Sequence, residues 1–422
     1  HQFSRKQPDL NWENPEVRKA VYRMMNWWMD RGIDGFRMDV ITLISKHLDS
    51  HGRLPGEVGS ELSEGEMGEE GYTDASPFCS DGPRLDEFLA EMRREVFEGR
   101  EGYMNVGEAP GITPDRNEFI TDPDHRELDM LFLFDHVGID QEGSKWNTVP
   151  FEVRNLRARL ADQQEAVKDA GWASLFFCNH DQPRVVSRWG NDTDRESREL
   201  SAKAFGMLLH MHRGTPYIYE GEELGMTNAH FTTLEQYRDL ESINAYRQRV
   251  EEAKCQSAES MMAALALIGR DNSRTPMQWD ASRYAGFTAP DAATEPWIGV
   301  NPNHVEINAA EEFDDPGSVY SFYKKLIAMR HNNATIATGE WNLVAADSEQ
   351  VYSFTRTSGD DTILVIVNLT DKSAGLPGEV AELLGDGVAE SQILLSTYDV
   401  AHSVKSIARG ELARWEGVVI QL

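Results

Sequence analysis

The chain has 422 residues, 40% of them hydrophobic, so it is long enough to form two or three domains with sizeable cores. A formal net charge of -30 argues against a polyanionic partner, whether a nucleic acid or an anionic membrane surface. The three cysteines form no C-x-x-C pair, which argues against a disulfide framework or a zinc site and fits a reducing compartment, the cytoplasm. The sequence contains no run of about 18 apolar residues, so no membrane span is predicted. No signal peptide is visible, although the chain begins at His1 and not at a methionine.

The first elements in chain order are a helix and a short strand. Asn14 can cap the helix, and Pro15 suits its first turn. Apolar residues at helical spacing predict the buried face of this helix: Val17, Val21, Met24 and Trp28. The run "IDGFRMDV" then predicts a strand near residues 33–39.

The same helix-to-strand unit repeats further along the chain. Strands are predicted near residues 33–39, 102–107, 129–134, 172–178 and 216–220. Helices are predicted near residues 86–98, 151–169 and 196–212. The alternation predicts an α/β fold with parallel strands and crossover helices, and five such units favour a (β/α)8 TIM barrel.

The remainder of the chain has a different character. Residues from about 222 to 315 are rich in Asn, Pro and Trp and predict an irregular insertion after the last strand. A helix is predicted near 317–331, which would end the barrel domain, residues 1–338. Strand-like runs bounded by turn residues then predict a small all-β domain, a β-sandwich, over residues 339–422.

Two opposite charges stand at the end of the first predicted strand. Arg37 and Asp39 are two positions apart, so their side chains share a face of the strand. The arginine would keep the carboxylate ionised, as a nucleophile requires. Asp39 considered alone could equally cap the helix that follows.

Acidic residues also end two later strands. Glu108 follows Gly107, and Asp181 follows "NH" before Pro183. Glu108 alone could be a solvated loop acid, and Asp181 alone a turn residue. Three acids at three strand ends are more specific, because the C-terminal ends of the strands hold the active site of such a barrel. We expect the three carboxylates to converge, with two of them supplying the nucleophile and acid of retaining glycoside hydrolysis.

The motifs that contain these residues carry a family resemblance. "GFRMDV", "VGEAP" and "NHDQPR" resemble the ordered motifs of the α-amylase superfamily, glycoside hydrolase family 13. "QPDLNWENPEVR", "GTPYIYEGEELGMTN", "YRDLESINAYRQ" and "GRDNSRTPMQWD" resemble the oligo-1,6-glucosidase and α-glucosidase branch. The resemblance extends to about residue 335.

The resemblance implies a catalytic role for each of the three acids. Asp39 would be the nucleophile, and Glu108 the general acid and then the general base. Asp181 would hold sugar hydroxyls around the distorted ring. The raised pKa that Glu108 needs would come from burial or from the neighbouring negative charges.

The resemblance also implies the residues that bind the sugar. Arg37 and His180 would line the same subsite, and Arg270 would contact the non-reducing-end glucose. Arg184 is a weaker candidate that could equally form a structural ion pair. Val40 follows the nucleophile, where this branch tends to have valine in α-1,6-acting enzymes and threonine in α-1,4-acting ones; it could also simply pack. No metal ligands are predicted.

A full barrel needs eight strands, whereas the pattern supplies five. By the resemblance, the first three strands and a further Asp and His of the subsite are missing, so this polypeptide alone should be poorly folded and inactive. No cofactor is required; calcium is possible, but its usual site would lie in the missing part. The expected partner is a small oligosaccharide, and the protein is expected to be a monomer or homodimer.

The predicted function is therefore an exo-acting α-glucosidase that removes terminal α-1,6-linked, and possibly α-1,4-linked, glucose. One alternative is a sucrose isomerase that makes isomaltulose or trehalulose; such enzymes carry an "RLDRD" segment where this chain reads "RARLADQQEA". Another is a non-catalytic relative associated with a transporter, which would have lost the carboxylates. A carbohydrate-binding module would not need an acid at three strand ends.

Overall fold

A computed structural model describes residues 6–54, 57–62, 67–71, 73–74, 76–385 and 387–422. The chain divides into two compact units. The first comprises residues 1–135 and 165–174, and the second comprises residues 136–164 and 175–422. The domain boundary at residue 338 stays a prediction.

The described residues form strands and helices with the following bounds. The strands are β1 Gly35–Met38, β2 Met104–Glu108, β3 Met130–Phe132, β4 Gln141–Glu142, β5 Ser144–Thr148, β6 Ser174–Leu175, β7 Thr215–Pro216, β8 Glu340–Val344, β9 Val351–Ser358, β10 Asp361–Asn368, β11 Ala374–Gly375, β12 Ile393–Ser396, β13 Glu411–Leu412 and β14 Gly417–Gln421. The helices are α1 Pro15–Met29, α2 Ser76–Cys79, α3 Leu85–Met92, α4 Pro114–Thr121, α5 Val153–Ala166, α6 Val185–Arg188, α7 Arg195–Met211, α8 Leu240–Tyr246, α9 Ala258–Ile268, α10 Ala309–Glu312, α11 Val319–Asn332, α12 Ala334–Thr338, α13 Gly378–Leu384 and α14 Val400–Ala408.

A parallel sheet organises the first unit. Its strand order is β1-β2-β3, and both pairings are parallel. An isolated parallel bridge joins Leu131 of β3 to Ala173. Parallel pairing of the first three predicted strands is therefore confirmed. Because parallel strands end at the same edge, the residues that follow β1 and β2 lie side by side.

Helix α1 packs into the core of the first unit with a different face from the one predicted. Its N-terminus is as expected, since the Asn14 side chain accepts a hydrogen bond from Glu16 at 3.0 Å. The buried residues are Arg18, Tyr22, Met25 and Met29, whereas predicted face residues Met24 and Trp28 remain exposed. The helix is apolar on two sides, so periodicity alone could not select the side that packs.

A largely buried helix and an antiparallel sheet dominate the second unit. Nearly every residue of α7 is buried, and α11 packs beside it. The main C-terminal sheet has the order β12-β14-β10-β9-β8 and is antiparallel throughout. The antiparallel strands agree with the sequence, but the region is not all-β, because α13 and α14 cover part of its core.

The predicted insertion is less irregular than its composition suggests. Helices α8 and α9 lie inside it, together with short 3-10 turns. Met261, Leu265 and Ile268 of α9 are fully buried in a local core with Trp146 of β5. The fourth and fifth predicted strands are observed as the much shorter strands β6 and β7. Beside them, the Tyr217 backbone N–H donates a hydrogen bond to the Leu175 carbonyl.

No helix among the described residues has the length and apolarity that crossing a membrane requires.

Candidate active site

The parallel pairing of β1 and β2 brings one arginine and two carboxyl groups together. In this register Arg37 lies opposite Val106, so the residues just past Met38 are neighbours of Glu108. The Arg37 guanidinium donates a hydrogen bond to Asp39 and lies 2.9 Å from Glu108 Oε2. One cation thus bridges the two acids; the shared strand face of residues 37 and 39 predicted its contact with Asp39, but not its contact with Glu108.

Two glycines allow the strands to approach closely enough. A Cβ on Gly35 would lie 1.8 Å from the Met104 carbonyl oxygen, and the residue has φ +137°. A Cβ on Gly107 would lie 2.8 Å from each of three side chains, including those of Ile41 and Leu131. Only glycine fits at either position without displacing a neighbour.

The residue after Asp39 has an uncommon backbone conformation. Val40 lies in the left-handed region at φ 36°, which is a genuine outlier for a β-branched residue. Its N–H donates to Glu108 Oε2 at 3.0 Å. Val40, rather than Asp39, occupies the N-cap of the 3-10 helix Ile41–Ile44. The strained turn therefore fixes the Glu108 carboxyl group and does not supply a helix cap.

Burial distinguishes the two carboxyl groups. The Glu108 side chain is 9% exposed, whereas that of Asp39 is 74% exposed. Burial raises the pKa of Glu108, and the hydrogen bond and charge of Asp39 raise it further, against the opposing effects of the Val40 N–H and Arg37. Glu108 therefore holds a proton above the pH at which an ordinary glutamic acid loses it. A proton donor next to an exposed carboxylate can carry out acid catalysis with nucleophilic attack.

Asp181 lies in the second unit, in a tight turn that its neighbours determine. Asn179 Oδ1 accepts the Asp181 backbone N–H at 2.7 Å. Arg274 Nη2 lies 2.5 Å from Asp181 Oδ1, while Arg274 Nε donates to the His180 carbonyl at 2.7 Å. Arg270 Nη1 is 3.5 Å from the same oxygen, and His180 Nε2 is 3.6 Å from Oδ2. The structure thus groups His180, Asp181 and Arg270, and their roles in sugar binding stay predictions.

A second carboxylate fixes Arg270 in position. Asp239 accepts two hydrogen bonds from Arg270, at 2.7 and 2.8 Å. Burial alone would raise the pKa of Asp239, but Arg270, a backbone N–H and Arg274 outweigh it and hold the pKa below the ordinary value. Glu241 lies 3.1 Å from Arg270 and also pairs with Lys145 at 2.7 Å. The alternating charges hold the arginine rigidly beside Asp181.

Several members of this cluster were not among the residues predicted from the sequence. Arg274 contacts Asp181 more closely than Arg270 does, and Asp239 and Glu241 complete the ion pairs. The available signals were the second arginine of "GRDNSR" and the two acids of "YRDLE". Each of these residues lies in a motif that carries the family resemblance, but none of them was predicted to belong to the site.

Arg184 has a different environment from the other predicted residues. It is 1% exposed, and its guanidinium donates to the backbone carbonyls of Glu220 and Ser273. It also lies over the Tyr219 ring at 5.0 Å. These contacts tie loops together, and a role in substrate binding stays a prediction.

Among the described residues, no group of three or more His, Cys, Asp or Glu side chains could hold a metal ion.

The parallel sheet with acids at its strand ends defines a class of protein, and the chain belongs to the alpha-amylase family. Residues 1–339 match the family model described as the alpha amylase catalytic domain. The chain is 44% identical to an oligo-1,6-glucosidase of Parageobacillus thermoglucosidasius, over 100% of this chain and 71% of that protein. It is 47% identical to an alpha-glucosidase of Pediococcus pentosaceus, over 85% of this chain and 61% of that protein.

The solved structures that share this fold belong to enzymes with different names. The trehalose-6-phosphate hydrolase of Bacillus licheniformis superposes with a TM-score of 0.84 at 40% identity. The isomaltulose synthase of Klebsiella sp. LX3 superposes with a TM-score of 0.85 at 31% identity. Each match covers 100% of this chain and 71% of the solved chain.

Proposed function

We propose that this chain carries the catalytic carboxylates of a retaining, exo-acting α-glucosidase that prefers terminal α-1,6-linked glucose. The observation that carries the proposal is the Asp39–Glu108 pair, in which Arg37 bridges a buried acid with a raised pKa and an exposed carboxylate. The relatives named oligo-1,6-glucosidase and alpha-glucosidase give the substrate class.

The mechanism assigns one role to each carboxyl group. Glu108 protonates the glycosidic oxygen while Asp39 attacks the anomeric carbon, so the C–O bond to the leaving group breaks as the bond to Asp39 forms. The deprotonated Glu108 then takes a proton from water, which displaces Asp39. Two inversions retain the configuration.

Carboxyl separation supports retention over inversion. The Asp39 and Glu108 carboxyl groups both contact the Arg37 guanidinium. Inverting enzymes leave roughly 6.5–9.5 Å between their two carboxyl groups to admit a water, whereas retaining enzymes need only about 5–5.5 Å. Two carboxyl groups that share one guanidinium lie close together, as the retaining mechanism requires.

The second set of residues would supply sugar recognition. We assign Asp181 and His180 to hydroxyl groups of the glucose that is cleaved. Arg270 and Arg274 orient Asp181, and Arg274 joins the predicted Arg270 as a candidate sugar ligand because of its shorter contact. Val40 would favour α-1,6 linkages, since its methyl groups replace a hydroxyl at the subsite wall.

We also propose that the parallel sheet is part of a (β/α)8 barrel whose first three strands lie outside this chain. Two observations support this. Within the described residues β1 pairs with β2 alone, so its other edge is unpaired. Met24, Trp27 and Trp28 on α1 are between 45% and 49% exposed, as a helix that has lost its neighbours would be. Calcium, if the protein binds it, would belong to the missing part.

A substrate comparison tests the proposed function. Initial rates on isomaltose, panose, maltose, sucrose and trehalose 6-phosphate should be measured with the protein that carries this chain. We expect isomaltose and panose to react faster than maltose, with glucose released as the α-anomer. The acidic protein should disfavour the phosphorylated sugar. Fastest turnover of trehalose 6-phosphate, or conversion of sucrose to isomaltulose, would reject the proposal.

A further inference from the structure

Two arginines that contact Asp181 belong to one short turn. The 3-10 helix Arg270–Ser273 begins with the first of them, and Arg274 follows it directly. Arg270 Nη1 lies 3.5 Å from Asp181 Oδ1, and Arg274 Nη2 lies 2.5 Å from the same oxygen. Both arginine side chains are partly exposed, whereas the three residues between them are buried. Residues 270–274, which we call the arginine turn, thus present two charged ends to Asp181 and a buried middle to the protein interior.

Two of the buried residues anchor the arginine turn to its surroundings. The Ser273 backbone carbonyl accepts hydrogen bonds from the Tyr219 hydroxyl at 3.0 Å and from Arg184 Nη2 at 3.4 Å. The Asn272 side-chain amide donates to three backbone carbonyls at the end of α9, those of Leu265, Ala266 and Gly269. These contacts fix the turn as a whole against α9 and two loops, but they do not involve the carboxylate that pairs with its first arginine.

The third buried residue, Asp271, holds that carboxylate in place through the backbone. Asp271 is 0% exposed, and its Oδ2 accepts the backbone N–H groups of Arg238 at 2.6 Å and Asp239 at 2.9 Å. The neighbouring Arg270 binds the Asp239 carboxylate at 2.7 and 2.8 Å. Two successive residues of the arginine turn therefore hold Asp239, one by its backbone and the other by its side chain. The position of Asp239 relative to Arg270 is fixed by both contacts together.

One oxygen of Asp271 makes both of these backbone contacts. The other, Oδ1, is buried and has no hydrogen-bond partner within the described part of the chain. Position 271 therefore needs a single acceptor at a fixed distance, and an amide oxygen can accept from an N–H as a carboxylate can. A longer side chain would not keep that distance, because residues 271 to 273 are at most 1% exposed and a close-packed interior leaves no room for another methylene.

We propose that Asp271 is a positioning residue for the glucosidase site. It fixes Asp239 against Arg270, and Arg270 in turn holds the Asp181 carboxylate toward the glucose that is cleaved. The Asp271 backbone carbonyl also accepts the Arg274 N–H at 3.2 Å, so the same residue sets both arginines of the turn. A fully buried side chain does not touch substrate, and Asp271 acts through its neighbours. This role rests on the proposed function, because it requires Asp181 to bind that glucose.

Three variants of Asp271 separate the place of the acceptor from its charge. Asp271→Ala removes both hydrogen bonds, and kcat/KM on isomaltose should fall by roughly 10–100-fold, since a misplacement of about 1 Å has effects of that size. Asp271→Asn keeps an oxygen at the same distance without the charge and should recover most of that loss. Asp271→Glu keeps the charge but moves the oxygen and should not. Recovery by glutamate and not by asparagine would overturn the proposal, as would an alanine variant with unchanged kcat/KM.

A double-mutant comparison tests whether Asp271 acts through Asp239. Rates are divided by the concentration of working sites, titrated with a fluorinated α-glucosyl fluoride, so that unfolded protein does not lower the measured constants. The loss in kcat/KM caused by Asp271→Glu should be several-fold smaller in an Asp239→Asn background, because the two changes disrupt the same ion pair. Equal losses in both backgrounds would contradict the proposal. Neither this comparison nor the contrast of asparagine with glutamate needs the alanine variant to fold.

The matched control is Glu416→Asp in the same unit. Glu416 is also 0% exposed and accepts a backbone N–H, that of Ala413 at 2.7 Å, but it lies beside β14, where no residue assigned to the site is found. The control should lower the melting temperature and leave kcat/KM per working site unchanged. A loss equal to that of Asp271→Ala would mean that general destabilisation produces the effect, against the proposal.

The unmodified protein distinguishes failure of this role from failure of the proposed function. If the unmodified protein does not hydrolyse isomaltose, the proposed function is rejected and the role of Asp271 falls with it. If the unmodified protein is active and the Asp271 variants do not follow the expected order, only the role of Asp271 is rejected.

Discussion

Asp39 and Glu108 are chemically similar side chains with opposite environments, and the environments separate their roles. Glu108 is buried beneath a strained turn, while Asp39 is exposed and paired with Arg37. A buried carboxyl favours its neutral form, whereas one that pairs with an arginine in solvent favours its charged form. Proton donation and nucleophilic attack therefore fall to different residues before any substrate arrives.

The pH profile of a Glu108→Gln variant tests the acid role. Burial raises the pKa of Glu108, so the protein loses its proton donor, and kcat/KM falls, as pH rises through that pKa. The variant has no proton to lose, so this alkaline limb should vanish, with a loss of roughly 10²–10⁴-fold on isomaltose. On an activated leaving group such as fluoride the first step should suffer far less. Exposed Glu98→Gln is the control; a variant that keeps the alkaline limb would contradict the assignment.

Glu127 provides a stability test in the first unit. Burial, with Asp86 adding, raises its pKa from 4.5 to about 8, against Arg116 and Arg93. The folded state thus binds this proton more tightly than the unfolded chain. Stability is unaffected below pH 4.5, falls as pH rises from 4.5 to 8, and is lowered fully above pH 8. The penalty at pH 7 is of the order of 3 kcal/mol.

Glu127→Gln should remove this penalty. Its melting temperature should exceed that of the unmodified protein at pH 7.5, and the difference should shrink as the pH approaches 4.5. Thermal unfolding at several pH values measures the effect. An equal difference at every pH would show that packing, and not ionisation, separates the two proteins.

The sequence could identify the carboxyl groups but not the contacts that position them. Arg37, Asp39 and Glu108 follow from strand periodicity and from parallel pairing. The Val40 turn and the Asp239–Arg270 pair depend on backbone conformation and on a loop returning from a distant segment. The closer contact of Arg274 with Asp181 could not be read from spacing, because both arginines belong to one motif.

At the scale of elements, the close approach of β1 to the β2 backbone requires glycine at position 35. Gly35→Ala would drive a methyl group into the Met104 backbone and force alanine to adopt φ +137°. We expect the strand pairing to be lost and little folded protein to be recovered. Gly102→Ala is the matched control, because its φ is also positive at +72° but no atom lies within 4 Å of the added Cβ.

Circular dichroism and thermal unfolding of the two glycine variants show whether a steric clash of the added Cβ or the strain of a positive φ destabilises the Gly35→Ala protein. The Gly102→Ala protein should lose about 1–2 kcal/mol from backbone strain alone. Equal stability of both variants would mean that the close approach of β1 to β2 is unimportant.

Elements with one dominant apolar pattern were predictable, and those with two were not. Buried α7 has a strong pattern, and its predicted bounds, residues 196–212, differ from the observed ones by one residue at each end. For α1, two apolar faces compete, and the partner that packs against it decides between them. Helices α13 and α14 were missed because they are short and lie between strands whose pattern dominates the region.

At the scale of the molecule, two features bear on whether this chain folds alone: the edge of β1 that no other described strand pairs with, and the exposed apolar side chains of α1. An unpaired strand edge and an uncovered apolar face promote association between chains. We expect residues 1–422 produced alone to aggregate and to lack glucosidase activity. Size-exclusion chromatography with an activity assay checks this; a monodisperse, active product would contradict it.

The convergence of Asp39, Glu108 and Asp181 on one sugar stays a prediction. A chemical experiment on the nucleophile can test its first part, the role of Asp39. An enzyme that retains configuration through Asp39 must pass through a covalent glucosyl ester on that residue. The ester is the only step of the mechanism that leaves a mark on the chain itself.

The most direct measurement is therefore to trap that ester with a fluorinated α-glucosyl fluoride and to locate it by peptide mass spectrometry. The experiment needs the active protein that carries this chain. We predict one glucosyl adduct, on the peptide that contains Asp39, and its absence in an Asp39→Asn variant. An adduct on Glu108, on Asp181 or elsewhere, or steady turnover with no adduct on Asp39, would contradict the assignment of the nucleophile.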